Sequence, residues 1–216
     1  MTSKDSGHWR RFTAAPHRIM FFAGTLQAVL TLVWWLSDLS GRYAGWYLPP
    51  QWPLPPNWIH AFLMIYGFFP FFVFGFLMTA MPSWLGRDRI PRSLYVPAWL
   101  LMVPGLALFY VGLFVGTPLI IVAMALHFAG WAVAAYALAR LLWIGPTQDL
   151  RHALVVVAAL AAGLSGGLAY AIGIATGVDF LVEFSKIVGV WFFLVPVLLA
   201  VRPRMIPYFT SRAIPG

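Results

Sequence analysis

Long stretches of apolar residues, separated by short polar segments rich in arginine, proline and glycine, make up most of this chain. A bilayer core of ~30 Å requires about 20 apolar residues in a helix. Stretches of this kind cover residues 19–36, 58–84, 94–115, 118–143, 153–176 and 181–201. They do not alternate between polar and apolar positions, as the strands of a membrane barrel do. The pattern therefore predicts an all-α bundle of six transmembrane helices, here the first to sixth spans. A polar basic tail (residues 1–18) and a C-terminal interfacial tail (202–216) flank it.

The composition agrees with this prediction and excludes a soluble fold. Hydrophobic residues make up 62% of the 216 residues and charged residues only 9%, whereas a soluble domain carries about a quarter charged residues. So few charges cannot cover a surface that faces water. Because the chain has no cysteine, disulfides, thiolate metal sites and redox dithiols are excluded as well.

Lysine and arginine are distributed unequally between the two sides of the predicted bundle. All but two of the 14 basic residues fall in the N-terminal tail, in the loop after the second span, at the end of the fourth span or in the loop that follows it, or after the sixth span. The exceptions are Arg42, between the first two spans, and Lys186, within the sixth. Because positive charge concentrates on the cytoplasmic side of membrane proteins, both ends of the chain are predicted to be cytoplasmic. The same distribution assigns the net charge of +8 to lipid headgroups and not to nucleic acid.

The fifth predicted span consists largely of alanine and glycine. Gly163 and Gly167 lie one turn apart on the same face, a spacing that lets another helix approach backbone to backbone. We therefore expect this span to lie in the middle of the bundle. A helix of another protein that docks on this face is the alternative.

Four ionisable side chains fall within the outer half of the predicted spans, where each is a candidate functional residue. His60 lies near the outer end of the second span, and His127 lies close to the midplane in the fourth. Because neutral imidazole binds haem iron and copper, His127 and His60 are candidate ligands for haem or copper. Structural roles without a metal are the alternative, above all for His60 at the interface. Glu183 and Lys186, three residues apart in the sixth span, predict a buried ion pair.

No catalytic motif is present in the sequence. The chain lacks a phosphate-binding loop, a dinucleotide-binding glycine motif, a zinc-protease helix and a Ser-His-Asp arrangement. Two functions other than cofactor binding remain open. One is a cofactor-free scaffold or accessory subunit that pairs through the fifth span. The other is a small-molecule permease built on the second and third spans, where Pro70, Pro97 and Pro104 favour kinks.

Three segments carry a resemblance to a known family. The second span begins with Trp58 and His60 and ends with Gly-Phe-Leu-Met-Thr-Ala-Met-Pro-Ser-Trp-Leu-Gly-Arg over residues 75–87. The fourth span contains His-Phe-Ala-Gly-Trp from His127, and residues 201–210 are Val-Arg-Pro-Arg-Met-Ile-Pro-Tyr-Phe-Thr. These segments resemble the NnrS family. In that family the second helix opens with Trp-His-x-His-Glu-Met and ends with Gly-Phe-Leu-Leu-Thr-Ala-x-Pro-x-Trp-Thr-Gly, and an Arg-Met-Ile-Pro-Phe-Phe-Thr segment follows later.

The resemblance implies a bacterial inner-membrane protein that contains haem and copper and is linked to nitric oxide metabolism and to resistance against nitrosative stress. Where the family has its second histidine and its glutamate, this chain has Phe62 and Leu63. Family members also usually carry about twice as many helices. The chain is therefore expected to be either a short, divergent member or part of a longer one.

Overall fold

All regular structure in the computed structural model, which describes residues 5–48, 50–143 and 150–203, is helical. Six helices in these ranges are long and apolar enough to cross a membrane: Pro16–Ala44, Pro56–Trp84, Arg92–Val115, Thr117–Leu142, Arg151–Thr176 and Asp179–Pro203. They correspond one to one with the six predicted spans. The predicted all-α, six-helix membrane fold is therefore confirmed.

The first span continues well beyond its predicted end at residue 36. Asp38 and Arg42 are one turn apart and form an ion pair along the helix, and the Ser40 hydroxyl donates to the carbonyl of Leu36 at 2.7 Å. The helix ends where Gly45 adopts a φ of 65°, a left-handed conformation that glycine accepts without steric cost. Hydropathy alone did not predict this last stretch because it is polar. The helix continues through it because its charges pair with each other.

The N-terminal tail contributes a helix of its own, Asp5–Phe12. The ring of Phe12 packs edge-on against Trp99 of the third span, with centroids 6.0 Å apart. The carbonyl of Thr13 accepts a hydrogen bond of 2.8 Å from the Tyr95 hydroxyl, and Arg92 donates to the Thr13 hydroxyl. The tail is thus packed against the third span. Lys4 and, of the predicted C-terminal tail, Arg204 and Arg212 lie outside the described residues.

The second span lies at the centre of the bundle, and the fifth does not. In the second span 61% of the most apolar stretch of the helix is buried, compared with 39% in the fifth span. The expected central position of the fifth span was therefore wrong. The second span is buried because its bulky side chains, Phe62, Tyr66, Phe71 and Phe74 among them, fill the interior between the other helices.

The glycines of the fifth span receive side chains and not another backbone. A Cβ at Gly163 would lie 2.7 Å from Cζ2 of Trp131, and one at Gly167 would lie 2.3 Å from Cε1 of Phe128. The predicted approach of backbone to backbone is therefore wrong at these positions. Both glycines make room for large aromatic rings of the fourth span.

The close approach of two backbones occurs instead between the third and fourth spans. A Cβ at Gly105 would lie 2.6 Å from the backbone nitrogen of His127. A Cβ at Gly130 would lie 2.7 Å from the carbonyl oxygen of Ala98. Small residues at a helix crossing allow this proximity in membranes. The contact fixes His127 directly against the third span.

Candidate functional site

His127 is the most buried ionisable side chain of the predicted site, with no exposed surface. Its Nδ1 lies 3.1 Å from the carbonyl oxygen of Met102 in the third span, and its Nε2 lies 2.9 Å from the carbonyl oxygen of Tyr66 in the second. One imidazole from the fourth span thus joins the backbones of two other helices.

The carbonyl of Tyr66 is available because of Pro70. In a regular α-helix the N–H of residue 70 would donate to the carbonyl of residue 66, but proline has no N–H. The preceding residues, Leu63–Phe68, form a π-helical segment, a feature that often lies at functional sites. The second span therefore exposes a backbone acceptor inside the bundle, and His127 occupies it.

Aromatic rings enclose the imidazole of His127. The ring centroids of Phe62, Phe71 and Phe128 lie 6.5, 6.3 and 5.5 Å from its own, each at a steep angle. Edge-to-face contacts of this kind are favourable between rings. The imidazole therefore lies in an apolar cage whose polar contacts are two carbonyl oxygens.

This arrangement limits what His127 can bind. A neutral imidazole has one N–H donor and one nitrogen lone pair, and a metal binds through the lone pair. Since each ring nitrogen faces a carbonyl oxygen, a metal gains access to His127 only after one of these two contacts is lost. In the described conformation His127 joins helices.

Tyr66 extends the same network towards the sixth span. Its hydroxyl donates to the carbonyl oxygen of Ser185 at 2.7 Å and lies 2.9 Å from the Ser185 hydroxyl, which is also buried. Gly189 lies in the second π-helical segment, Val188–Leu194. A Cβ at Gly189 would lie only 2.8 Å from the Tyr66 hydroxyl oxygen, so glycine leaves room for this group. The neighbouring Tyr170 hydroxyl is buried and has no hydrogen-bond partner in the described part of the chain. Tyr66 thus connects the second span to the fourth through its carbonyl and to the sixth through its hydroxyl.

His60 lies in different surroundings, against the first span. Its ring stacks on Trp35 with centroids 4.3 Å apart and an angle of 19°. Its Nδ1 is buried and has no hydrogen-bond partner within residues 5–48, 50–143 and 150–203. In this respect it differs from both ring nitrogens of His127.

A buried carboxylate in the first span was missed by the sequence analysis. Asp38 is 1% exposed, pairs with Arg42 and accepts a hydrogen bond of 2.8 Å from Nε1 of Trp52. The guanidinium of Arg42 also lies over the Trp35 ring, 5.6 Å from its centroid. An acidic and a basic residue four positions apart are a recognisable helical pair, and this spacing was the signal that could have revealed Asp38.

The structure does not bring His60 and His127 together. Nε2 of His127 contacts the backbone of Tyr66, which lies six residues from His60, or about 9 Å along a helix. Two imidazoles on one metal need nitrogens only about 4 Å apart, at ~2 Å each. Among the described residues no three His, Cys, Asp or Glu side chains group as a metal site. Joint ligation of one metal by His60 and His127 therefore stays a prediction that requires rearrangement.

The predicted ion pair of the sixth span is formed, but it is not buried. Nζ of Lys186 lies 2.6 Å from Oε1 of Glu183, and Nε1 of Trp58 donates to the same oxygen at 3.1 Å. The Glu183 side chain is 55% exposed and the Lys186 side chain 23%. The pair lies near one end of the bundle because Glu183 is in the second turn of its helix, which begins at Asp179.

Comparison with known proteins identifies the family of the chain. The family model described as NnrS protein matches residues 11–216. The matched residues include all six spans and therefore His60 and His127. No curated protein and no solved structure matches the chain.

Proposed function

This chain belongs to the NnrS family, and we propose that it acts in the bacterial inner membrane in the response to nitric oxide and nitrosative stress. The observation that carries the proposal is the family match, which extends over nearly the whole chain. The six membrane-spanning helices agree with a multi-pass membrane protein. Both chain ends belong on the cytoplasmic side in this proposal, because basic residues concentrate there.

The proposal includes haem or copper held by His127 and His60. His60 suits this role better than His127, since among the described residues no group makes a hydrogen bond to its buried Nδ1. His127 suits it only after one of its two carbonyl contacts is released. A haem iron held by only one of these imidazoles, or a bound copper, would offer a coordination position for a diatomic ligand such as nitric oxide. The residues of the chain supply the enclosure, since Phe62, Phe71 and Phe128 keep water away from His127.

The absorption spectrum and metal content of the purified full-length protein test the cofactor. We expect a Soret band or bound copper, and a spectral change on addition of nitric oxide in the absence of oxygen. A colourless, metal-free protein from cells supplied with haem precursor and copper would contradict the cofactor and favour the scaffold.

Growth of a bacterium without the gene, exposed to a nitric oxide donor, tests the physiological role. We expect the intact gene to restore growth and an empty vector not to restore it. Equal sensitivity of both strains would contradict a role in nitrosative stress, whatever the colour of the protein.

A further inference from the structure

A polar cavity lies between the loop that follows the second span and the last turns of the fourth. Its volume is about 190 Å³, larger than the ~150 Å³ cavity that holds benzene in an engineered protein. Arg87, Asp88 and Arg89 line it from the loop, and Arg140 lines it from the fourth span. Ile90 and Leu141, both buried, are among its apolar lining residues.

Three arginines, Arg87, Arg89 and Arg140, line the cavity together with one acidic residue, Asp88. Within residues 5–48, 50–143 and 150–203, the guanidiniums of Arg89 and Arg140 make no hydrogen bond and no ion pair. Arginine keeps its charge at all physiological pH values, and its planar group binds phosphate oxygens through two parallel hydrogen bonds. The cavity therefore has an excess of positive charge, and its chemistry suits a phosphate group.

The position of the cavity indicates where such a phosphate comes from. It lies where the second and fourth spans end, at Trp84 and Leu142, and therefore at the level of the lipid headgroups. Trp143 follows directly and is 75% exposed, as expected of an aromatic residue in the membrane interface. Basic pockets between membrane helices on the cytoplasmic side bind the phosphates of anionic lipids.

We propose that this cavity binds the phosphate group of an anionic phospholipid in the leaflet on the arginine-rich side. Arg89 and Arg140 contact the phosphate oxygens from opposite walls, and the acyl chains extend along the apolar surface beside Trp143. Asp88 weakens binding, because its carboxylate repels the phosphate.

Lipid retention by the full-length protein tests this proposal. The protein is reconstituted in nanodiscs of phosphatidylcholine with phosphatidylglycerol, extracted with mild detergent, and its bound lipid is measured by native mass spectrometry. Arg89→Gln and Arg140→Gln should each reduce retained phosphatidylglycerol about fivefold, because one cation near an anionic lipid contributes ~1 kcal/mol. Asp88→Asn should increase it.

Arg202→Gln is the matched control, since Arg202 is exposed at the same side of the bundle and does not line the cavity. Retention of phosphatidylglycerol by this variant should equal that of the wild type. An equal loss in all three arginine variants would show a diffuse surface attraction and would overturn the proposal.

Two further measurements separate a lipid from a free anion and from misfolding. Inorganic phosphate added to protein in phosphatidylcholine alone should not raise the melting temperature, whereas phosphatidylglycerol should raise it. Equal stabilisation by phosphate would overturn the lipid assignment. Arg89→Lys and Arg140→Lys keep the charge and should retain more lipid than the glutamine variants, and a complete loss in both would contradict the proposal.

Discussion

The ring of Phe62 lies 6.5 Å from the ring of His127, centroid to centroid, in the interior of the bundle. Phe62 is fully buried and stacks on Phe109 at 4.5 Å. It occupies the position at which the resemblance to the NnrS family implies a second histidine. A histidine at this position would therefore lie beside His127.

Phe62→His should lower the dissociation constant for haem or copper by roughly tenfold, since even partners outside the ligand shell change metal affinity 10- to 100-fold. Titration of the purified, cofactor-free variant, followed by the Soret absorbance or by bound copper, measures this. Phe62→Leu is the control, because it vacates similar space without adding a donor. If both variants bind with the wild-type affinity, position 62 is not part of a cofactor site.

Histidine variants test the two predicted ligands separately. His127→Ala should abolish bound haem, and His60→Ala should weaken binding or change the spin state, because each removes an imidazole donor. His152→Ala, at the opposite membrane edge, should leave the absorption spectrum unchanged. The ligand assignment would be wrong if neither the His60 nor the His127 variant altered the spectrum.

The bridge made by His127 predicts a stability effect that needs no cofactor. His127→Leu removes the imidazole, whose single N–H donates to only one of the carbonyls of Met102 and Tyr66. One buried carbonyl left without a donor costs about 1–3 kcal/mol, so the melting temperature of the metal-free protein in detergent should fall. His60→Leu, which leaves no such carbonyl unpaired, should have a smaller effect.

Pro70 provides a rescue experiment for the same bridge. In Pro70→Ala the restored N–H of residue 70 can donate to the Tyr66 carbonyl, as in a regular helix. The double variant Pro70→Ala/His127→Leu should therefore melt above His127→Leu alone. A double variant that melts lower than either single variant would show that the Tyr66 carbonyl is not the group left unpaired.

The spans could be predicted from the sequence, whereas several contacts of the site could not. Hydropathy shows where a helix can cross the membrane, because each span must satisfy that condition by itself. His127 stood out because an imidazole at membrane depth is rare. Its carbonyl partners depend on how Pro70 and Gly105 place two other helices, and a pattern within one span does not contain that information. Asp38 was missed because it lies past the predicted end of the first span.

The two kinds of glycine contact should respond differently to substitution. Gly105→Ala places its Cβ against the His127 backbone, whereas Gly167→Ala places it against the ring of Phe128. Both should lower the melting temperature, since overpacking costs about 1–3 kcal/mol. Phe128→Leu should partly rescue Gly167→Ala, because a smaller side chain makes room, and should not rescue Gly105→Ala. Rescue of both would mean that the third and fourth spans are not in backbone contact.

The two basic residues on the sparsely charged side of the bundle each pair with an acidic residue. Arg42 pairs with Asp38, and Lys186 pairs with Glu183. In contrast, the opposite side carries Arg89 and Arg140 in one cavity. Orientation follows the number of basic residues near the span ends, so the arginine-rich side should face the cytoplasm. Because six spans return the chain to the side from which it started, both ends should be there.

Alkaline phosphatase, which is active only outside the cytoplasm, measures this orientation. A fusion after Gly216 should be inactive, and a fusion after Gly45, in the loop between the first two spans, should be active. The reverse pattern would place the arginine-lined cavity on the periplasmic side and would turn His60, Asp38 and Arg42 towards the cytoplasm. Replacing Arg89 and Arg140 together by glutamine should increase the fraction of reversed molecules, because it removes two of the charges that hold this side in the cytoplasm.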